Sequence, residues 1–247
     1  MGEAPKGECG TMIEIVLTKE VSFRNPTVVE GFPGVGLVGH IAATYLVSEL
    51  KLPELGYIRT DLIPPIAMVF SGRVLTPMRI YGDETLIVFV SDLAFSDDKT
   101  FYMAEGLGAF MEKHSVQTSI SLAGIGLSEP TGEVFGVSTT EEAFIRLQEA
   151  EVEILPMGSI SGGSGALLLE CYRRNISSLA LLAETVGNRP DPRAASMLLE
   201  KVASLIGREI NTESLINEAV QLESTLAYLS KDVEKQSKKE EFDSMYI

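Results

Sequence analysis

Gly31-Phe32-Pro33-Gly34-Val35-Gly36-Leu37-Val38-Gly39-His40 stands between a strand-like Thr27-Val28-Val29-Glu30 and a helical Ile41-Ala42-Ala43-Thr44-Tyr45-Leu46-Val47-Ser48-Glu49-Leu50. Gly34, Gly36 and Gly39 spell GxGxxG. Glycine admits positive φ and close backbone approach, so the stretch predicts a tight strand-to-helix turn whose helix N-terminus can receive an anion. A dinucleotide site also needs an acidic residue about 20 positions on, at the tip of the next strand. Glu54 precedes the strand-like Leu55–Thr60 and Asp61 follows it late, so both fit poorly. The three glycines are therefore either an anion loop or a close helix–sheet contact.

Working outward, Met12–Leu17 reads as a strand before the turn, and Leu55–Thr60 as one after it. Pro64-Pro65 ends any central strand, because proline supplies no ladder donor. Short extended pieces at Ile66–Phe70, Arg73–Leu75 and Pro77–Tyr81 are separated by turn residues. Thr85–Ser91 is near-continuously apolar, as a strand covered on both faces should be. Ser96-Asp97-Asp98 offers an N-cap to a helix over Lys99–His114, with Phe101, Ala104, Leu107, Gly108 and Met111 on its buried face.

Further strands are expected at Thr118–Ala123, Val134–Val137, Val152–Leu155 and Ser178–Ala183. Thr139-Thr140-Glu141-Glu142 caps a helix through Ala150. A second glycine-rich entry, Gly158-Ser159-Ile160-Ser161-Gly162-Gly163-Ser164-Gly165, leads into a helix over Ala166–Arg174. Its amides form either an anion nest or another packing contact, and the Walker lysine is absent. Asp191-Pro192 opens a helix over Arg193–Arg208, and a last helix runs from Asn211 or Thr212 to about Lys235. Strands alternating with helices imply an α/β fold: a mainly parallel or mixed sheet with helices on both faces.

The chain has 247 residues and a net charge of −15, a field that repels phosphate backbones and anionic lipid. Nucleic acid and membrane are thus not expected partners. No run of ~18 apolar residues appears and Met1–Gly10 lacks a signal-peptide pattern, which predicts a cytoplasmic protein. Cys9 and Cys171 are too few and too far apart for a disulfide framework or a zinc site. His40 and His114 are the only histidines. His114 at a helix end reads as a dipole partner rather than a base, and no serine sits in a GxSxG elbow. Adjacent acidic pairs such as Glu141-Glu142 are capping charges. The residues therefore predict no catalytic site, no metal and no cofactor.

Lys231–Asp243 is dense in lysine and acid, so it is expected to be solvated and mobile. Ser244-Met245-Tyr246-Ile247 then ends the chain with apolar side chains that a core does not use. Such an end is either frayed or a docking peptide.

The Gly31–Gly39 stretch, the Pro64-Pro65 break and Gly162-Gly163-Ser164-Gly165 together resemble the archaeal members of the proteasome assembly chaperone 2 family, over roughly Ile13 to Ser230. The resemblance implies a phosphorylase- or hydrolase-like three-layer α/β/α sandwich without that fold's enzyme chemistry, assembled as a homo-oligomer. Met245-Tyr246-Ile247 also matches the hydrophobic-tyrosine-any-residue tail by which proteasome activators dock between α-subunits of the core particle. By that resemblance Met245 fills the hydrophobic place, Tyr246 the tyrosine place, and Ile247 supplies the carboxylate. The expected organisation is a flexible N-terminus at 1–10, the α/β/α core at 11–190, C-terminal helices at 191–235 and a mobile tail at 236–247. The expected function is a non-enzymatic assembly chaperone or ATP-independent activator. A nucleoside phosphorylase- or hydrolase-like enzyme and a dinucleotide-binding protein are the alternatives.

Overall fold

The computed structural model describes residues 13–63, 65–217 and 219. In chain order these form β1 (Ile13–Leu17), β2 (Thr27–Gly31), a 3-10 turn at Val35–Leu37, α1 (Val38–Glu49), β3 (Glu54–Thr60), β4 (Met68–Phe70), β5 (Arg73–Leu75), β6 (Met78–Gly82), β7 (Leu86–Ser91), α2 (Asp97–Lys113), β8 (Thr118–Gly126), β9 (Val134–Ser138), α3 (Glu141–Glu149), β10 (Glu153–Ile154), α4 (Gly162–Arg173), β11 (Ser178–Thr185) and α5 (Pro192–Ile206). The expected flexible segment 1–10, the last helix beyond residue 219 and the tail 236–247 lie outside the described residues.

One nine-stranded sheet runs in the order β1-β3-β6-β7-β2-β8-β11-β9-β10, while β4 and β5 pair only with each other. β7, β2, β8 and β11 are parallel at its centre. All six residues of β7 are buried, as its unbroken apolar run predicts for a strand covered on both faces. Side chains alternate across the sheet. Val29, Val88, Ile120 and Leu181 meet α1, α3 and α5 on one face. Val28, Ile87 and Phe89 meet α2 and α4 on the other. The result is a three-layer α/β/α sandwich.

The topology removes the dinucleotide fingerprint. β3 does not lie beside β2, because β6 and β7 stand between them. At the usual strand spacing that is a separation of about 14 Å, so neither Glu54 nor Asp61 reaches the tip of β2.

Helix ends follow their sequence signals in two cases and depart in others. Thr140 accepts a hydrogen bond from the Ala143 amide, and Asp191 accepts one from the Ala194 amide ahead of Pro192. α5, expected to run through Arg208, stops at Ile206 because Gly207 closes it at φ +65. Ser96 occupies the N-cap of α2, but its hydroxyl makes no capping bond. Phe101, expected in the core, is 43% exposed and its ring stacks under the Arg173 guanidinium at the outer edge of the α2–α4 pair. His114 packs its ring on Phe110 and Phe23, and burial together with Lys113 holds its pKa below the ordinary value. Packing rather than a charge–dipole attraction fixes that histidine.

Candidate functional site

The two glycine-rich stretches, far apart in sequence, meet at the carboxyl ends of β2, β8 and β11. Between them lies a cleft of about 460 Å³, walled by Gly34 and Val35, by Leu122–Gly126 and by Leu155–Ser164. The first wall is pinned to the β11–α5 loop. The Gly36 amide donates to the Gly187 carbonyl, and the Asp191 amide donates to the Gly36 carbonyl at 2.9 Å. Thr185 Oγ1 donates to Asp191 Oδ2 at 2.7 Å.

The glycines of the two motifs divide into two groups. Gly36 has φ +62, and a Cβ on Gly39 would stand 2.0 Å from the Leu122 carbonyl oxygen, so α1 rests directly on β8. Gly165 is equally constrained by the Ile160 carbonyl, and Gly163 lies against the Phe32 ring. These four hold the walls together. By contrast, a Cβ on Gly34 or Gly162 meets no atom within 4 Å. Both face open space at the cleft.

Behind the cleft wall lies Glu30, the last residue of β2 before its terminal glycine. Its side chain is fully buried on the α2–α4 side of the sheet. Ser164, in the first turn of α4, donates to Glu30 Oε1 at 2.8 Å. Glu30 Oε2 has no hydrogen-bond partner among the described residues. Burial pushes this carboxyl up to about 7, against the opposing pull of the Ser164 hydroxyl. Ser121 also favours the charged form, although its hydroxyl is not in hydrogen-bonding geometry. A carboxyl so placed switches protonation near neutral pH.

A second polar cluster sits beside β7. Arg79 grips Asp92 through two bonds at 2.6 and 2.8 Å and donates to the Tyr81 hydroxyl at 3.0 Å. His40, one residue past Gly39, faces this pair. Burial holds its pKa below the ordinary value, while Asp92 and the Ser91 backbone pull upward. Its Nδ1 is buried without a partner among the described residues. Asp92 is turned to Arg79, and His40 Nδ1 makes no hydrogen bond to it, so this carboxylate does not orient His40 as a base. Cys171 is fully buried and its thiol is pushed up to about 11, mainly by desolvation, which keeps it inert.

Among the described residues no group of three or more His, Cys, Asp or Glu side chains is placed to hold a metal. None of their helices is long and apolar enough to cross a membrane. Met245, Tyr246 and Ile247 lie outside the described residues. Glycine spacing alone points to Gly34, Gly36, Gly39, Gly162, Gly163, Ser164 and Gly165; Gly34, Gly39, Gly162, Gly163 and Ser164 line one cleft, whereas Gly36 packs on Thr185 and Gly165 on the Ile160 carbonyl. Glu30 and the Arg79–Asp92 pair escape such a reading. The available signal for Glu30 was a carboxylate closing an otherwise apolar strand, Thr27-Val28-Val29-Glu30.

The profile of the PAC2 family matches residues 28–230. A protein of Methanocaldococcus jannaschii is 34% identical over 236 residues, covering 95% of this chain and 98% of its own length. The crystal structure of Pyrococcus furiosus PbaA, described as an archaeal homolog of proteasome-assembly chaperone, superposes with a TM-score of 0.84 at 37% identity, covering 95% of this chain and 99% of PbaA. P. furiosus PbaB, described as an archaeal proteasome activator, superposes with a TM-score of 0.79 at 25% identity, covering 88% of this chain and 98% of PbaB. The chain belongs to the PAC2 family.

Proposed function

We propose that this protein is a cytoplasmic, non-enzymatic proteasome-assembly chaperone or ATP-independent proteasome activator, and that it docks on the α-ring of the core particle through Met245, Tyr246 and Ile247. The observation that carries this reading is the similarity to PbaA and PbaB along nearly the full length of each. The cleft supports the non-enzymatic part: glycines, serines and apolar side chains line it, with no His, Cys, Lys, Arg, Asp or Glu on its wall among the described residues.

The docking protein is proposed to be a homo-oligomer. A three-residue anchor buries little surface, whereas several tethered tails turn later docking events into intramolecular ones. A flexible chain as long as Lys231–Ser244 would span on the order of 20 Å in root-mean-square extension. The β4–β5 hairpin supports self-association, because it displays Val69, Phe70 and Val74 to water. An isolated two-stranded hairpin is marginal in water unless something packs on it.

The test is a pull-down of purified core particle with the full-length chain, a chain lacking Met245–Ile247, and Tyr246→Ala. Both variants should keep the native mass in light scattering and lose the core particle. Full retention by the truncated chain refutes docking through the tail.

A further inference from the structure

Docking through residues 245–247 leaves the cleft between the two glycine-rich loops without a role. We propose that this cleft binds a small molecule carrying an anionic oxygen head, a phosphate or a carboxylate, on an apolar body.

The fold puts the cleft where α/β sheets hold ligands. From β2 the chain leaves through α1 toward β3, β6 and β7, whereas from β7 it crosses through α2 to β8 on the opposite side of β2. Connections diverging to either side of one strand open a crevice at the carboxyl ends. The volume of about 460 Å³ lies within the range of small-molecule sites, roughly 300–1,000 Å³. Chain packing closes the other glycine positions, but Gly34 and Gly162 leave the cleft wall bare.

The wall chemistry then selects the ligand. Leu155, Met157, Ile160, Ile125 and Val35 offer an apolar bed. Polar contact comes from the first turn of α4 and from Ser159, Ser161 and Ser164, which line the cleft. α4 starts without a side-chain cap and without an acidic residue in its first turn. The first amides of a helix have no intrahelical acceptor and carry the positive end of its dipole. A ligand oxygen with negative charge completes them. The overall charge of −15 disfavours a polyanion and leaves a single small anionic group as the fit.

Glu30 supplies an independent second observation. It is fully buried, its Oε2 is unpartnered, and its Oε1 meets Ser164, which lines the cleft. When Glu30 is ionised, it accepts the Ser164 proton and the serine presents only lone pairs forward. When Glu30 is protonated, its O–H donates to Ser164 Oγ, and the serine proton is released toward the cleft. The acid proton stays on Glu30, so no group is transferred. A protonated Glu30 therefore turns Ser164 into a donor for an anionic oxygen and removes the one negative charge behind it.

The experiment is calorimetric titration of the full-length chain with phenyl phosphate and with benzoate, against benzyl alcohol as a neutral body and inorganic phosphate as a bodiless head. At least one of the two anions should saturate in the millimolar range or below, and should bind more tightly than both benzyl alcohol and inorganic phosphate. Which anion binds more tightly identifies the head as phosphate or carboxylate. Ser164→Ala should weaken that binding about tenfold, as loss of one charge-assisted hydrogen bond does. Glu30→Gln removes the charge behind Ser164 without changing its shape, and with the amide nitrogen on Ser164 Oγ leaves the serine proton for the cleft, so it should hold affinity within about threefold. If Ser164→Ala fails to fold, Gly34→Phe decides, since its new side chain starts in open space on the cleft wall and should abolish binding. Deletion of Met245–Ile247 should leave the titration unchanged, which separates this outcome from the fate of the docking reading. Absence of saturable binding by both anions, equal binding of benzyl alcohol, or unchanged binding in Ser164→Ala or Gly34→Phe overturns the proposal.

Discussion

Replacing Glu30 by glutamine should stabilise the protein at alkaline pH and leave it almost unchanged at acid pH. The carboxyl is fully buried, and burial raises it from 4.5 to about 7 in the folded chain. A group with a raised folded value binds more protons folded than unfolded between those two limits, so stability falls as pH rises through that window. Each pH unit is worth 1.36 kcal/mol, which puts the cost of ionised Glu30 at about 3 kcal/mol above pH 7. Glutamine has nearly the same shape and still bonds Ser164, so the difference between the two proteins isolates the charge. For a chain of this size about 3 kcal/mol corresponds to roughly 6–12 °C in melting temperature. Thermal melts of both proteins at half-unit steps from pH 4.5 to 8.5 should show curves that coincide at the acid end and diverge by that amount at pH 8. Carboxylates with lowered values, such as Glu170 and Glu184, affect both proteins alike and cancel. A variant no more stable than the parent at pH 8, or equally stabilised at pH 4.5 and 8, refutes the assignment of Glu30 as a charge held at a cost.

Two other perturbations test the frame, one at the cleft and one at the opposite end of the sheet. Gly39→Ala pushes a methyl to 2.0 Å from the Leu122 carbonyl and forces α1 off β8, so it should destabilise by more than about 3 kcal/mol and yield mostly insoluble protein. A soluble variant within about 1 kcal/mol of the parent in urea denaturation contradicts that contact. Asp83 is raised by burial but pulled down more strongly, to about 2, by Arg208 and the Thr85 and Leu86 amides. Its folded value lies below the ordinary 3.8, so its contribution is present above pH 3.8 and lost as pH falls through about 2. Because its side chain is 38% exposed, solvent screening reduces the expected loss in Asp83→Asn to about 1 kcal/mol at pH 7. Equal stability of variant and parent at pH 7 would remove the Asp83–Arg208 clamp from the account.

What the sequence could reveal depended on whether a local pattern had a single physical cause. Thr85–Ser91 admits one reading, a doubly covered strand, and β7 is that strand with every residue buried. Asp191-Pro192 likewise has one use, and it caps α5. Gly34, Gly36 and Gly39 have several uses at once, and only the neighbours decide among them. The Leu122 carbonyl makes Gly39 a packing residue, Thr185 and a positive φ fix Gly36, and nothing stands against Gly34. Those neighbours come from β8 and β11, strands that spacing along the chain does not place. Ser164 and Glu30, 134 positions apart, meet for the same reason: α4 lies over the face of the sheet to which β2 turns Glu30. A carboxylate ending an apolar strand is ambiguous in one dimension. Joined to Ser164 by a hydrogen bond, it ties the state of the cleft wall to a proton inside the sheet. The cleft is thus a property of topology, and the glycines only keep it open.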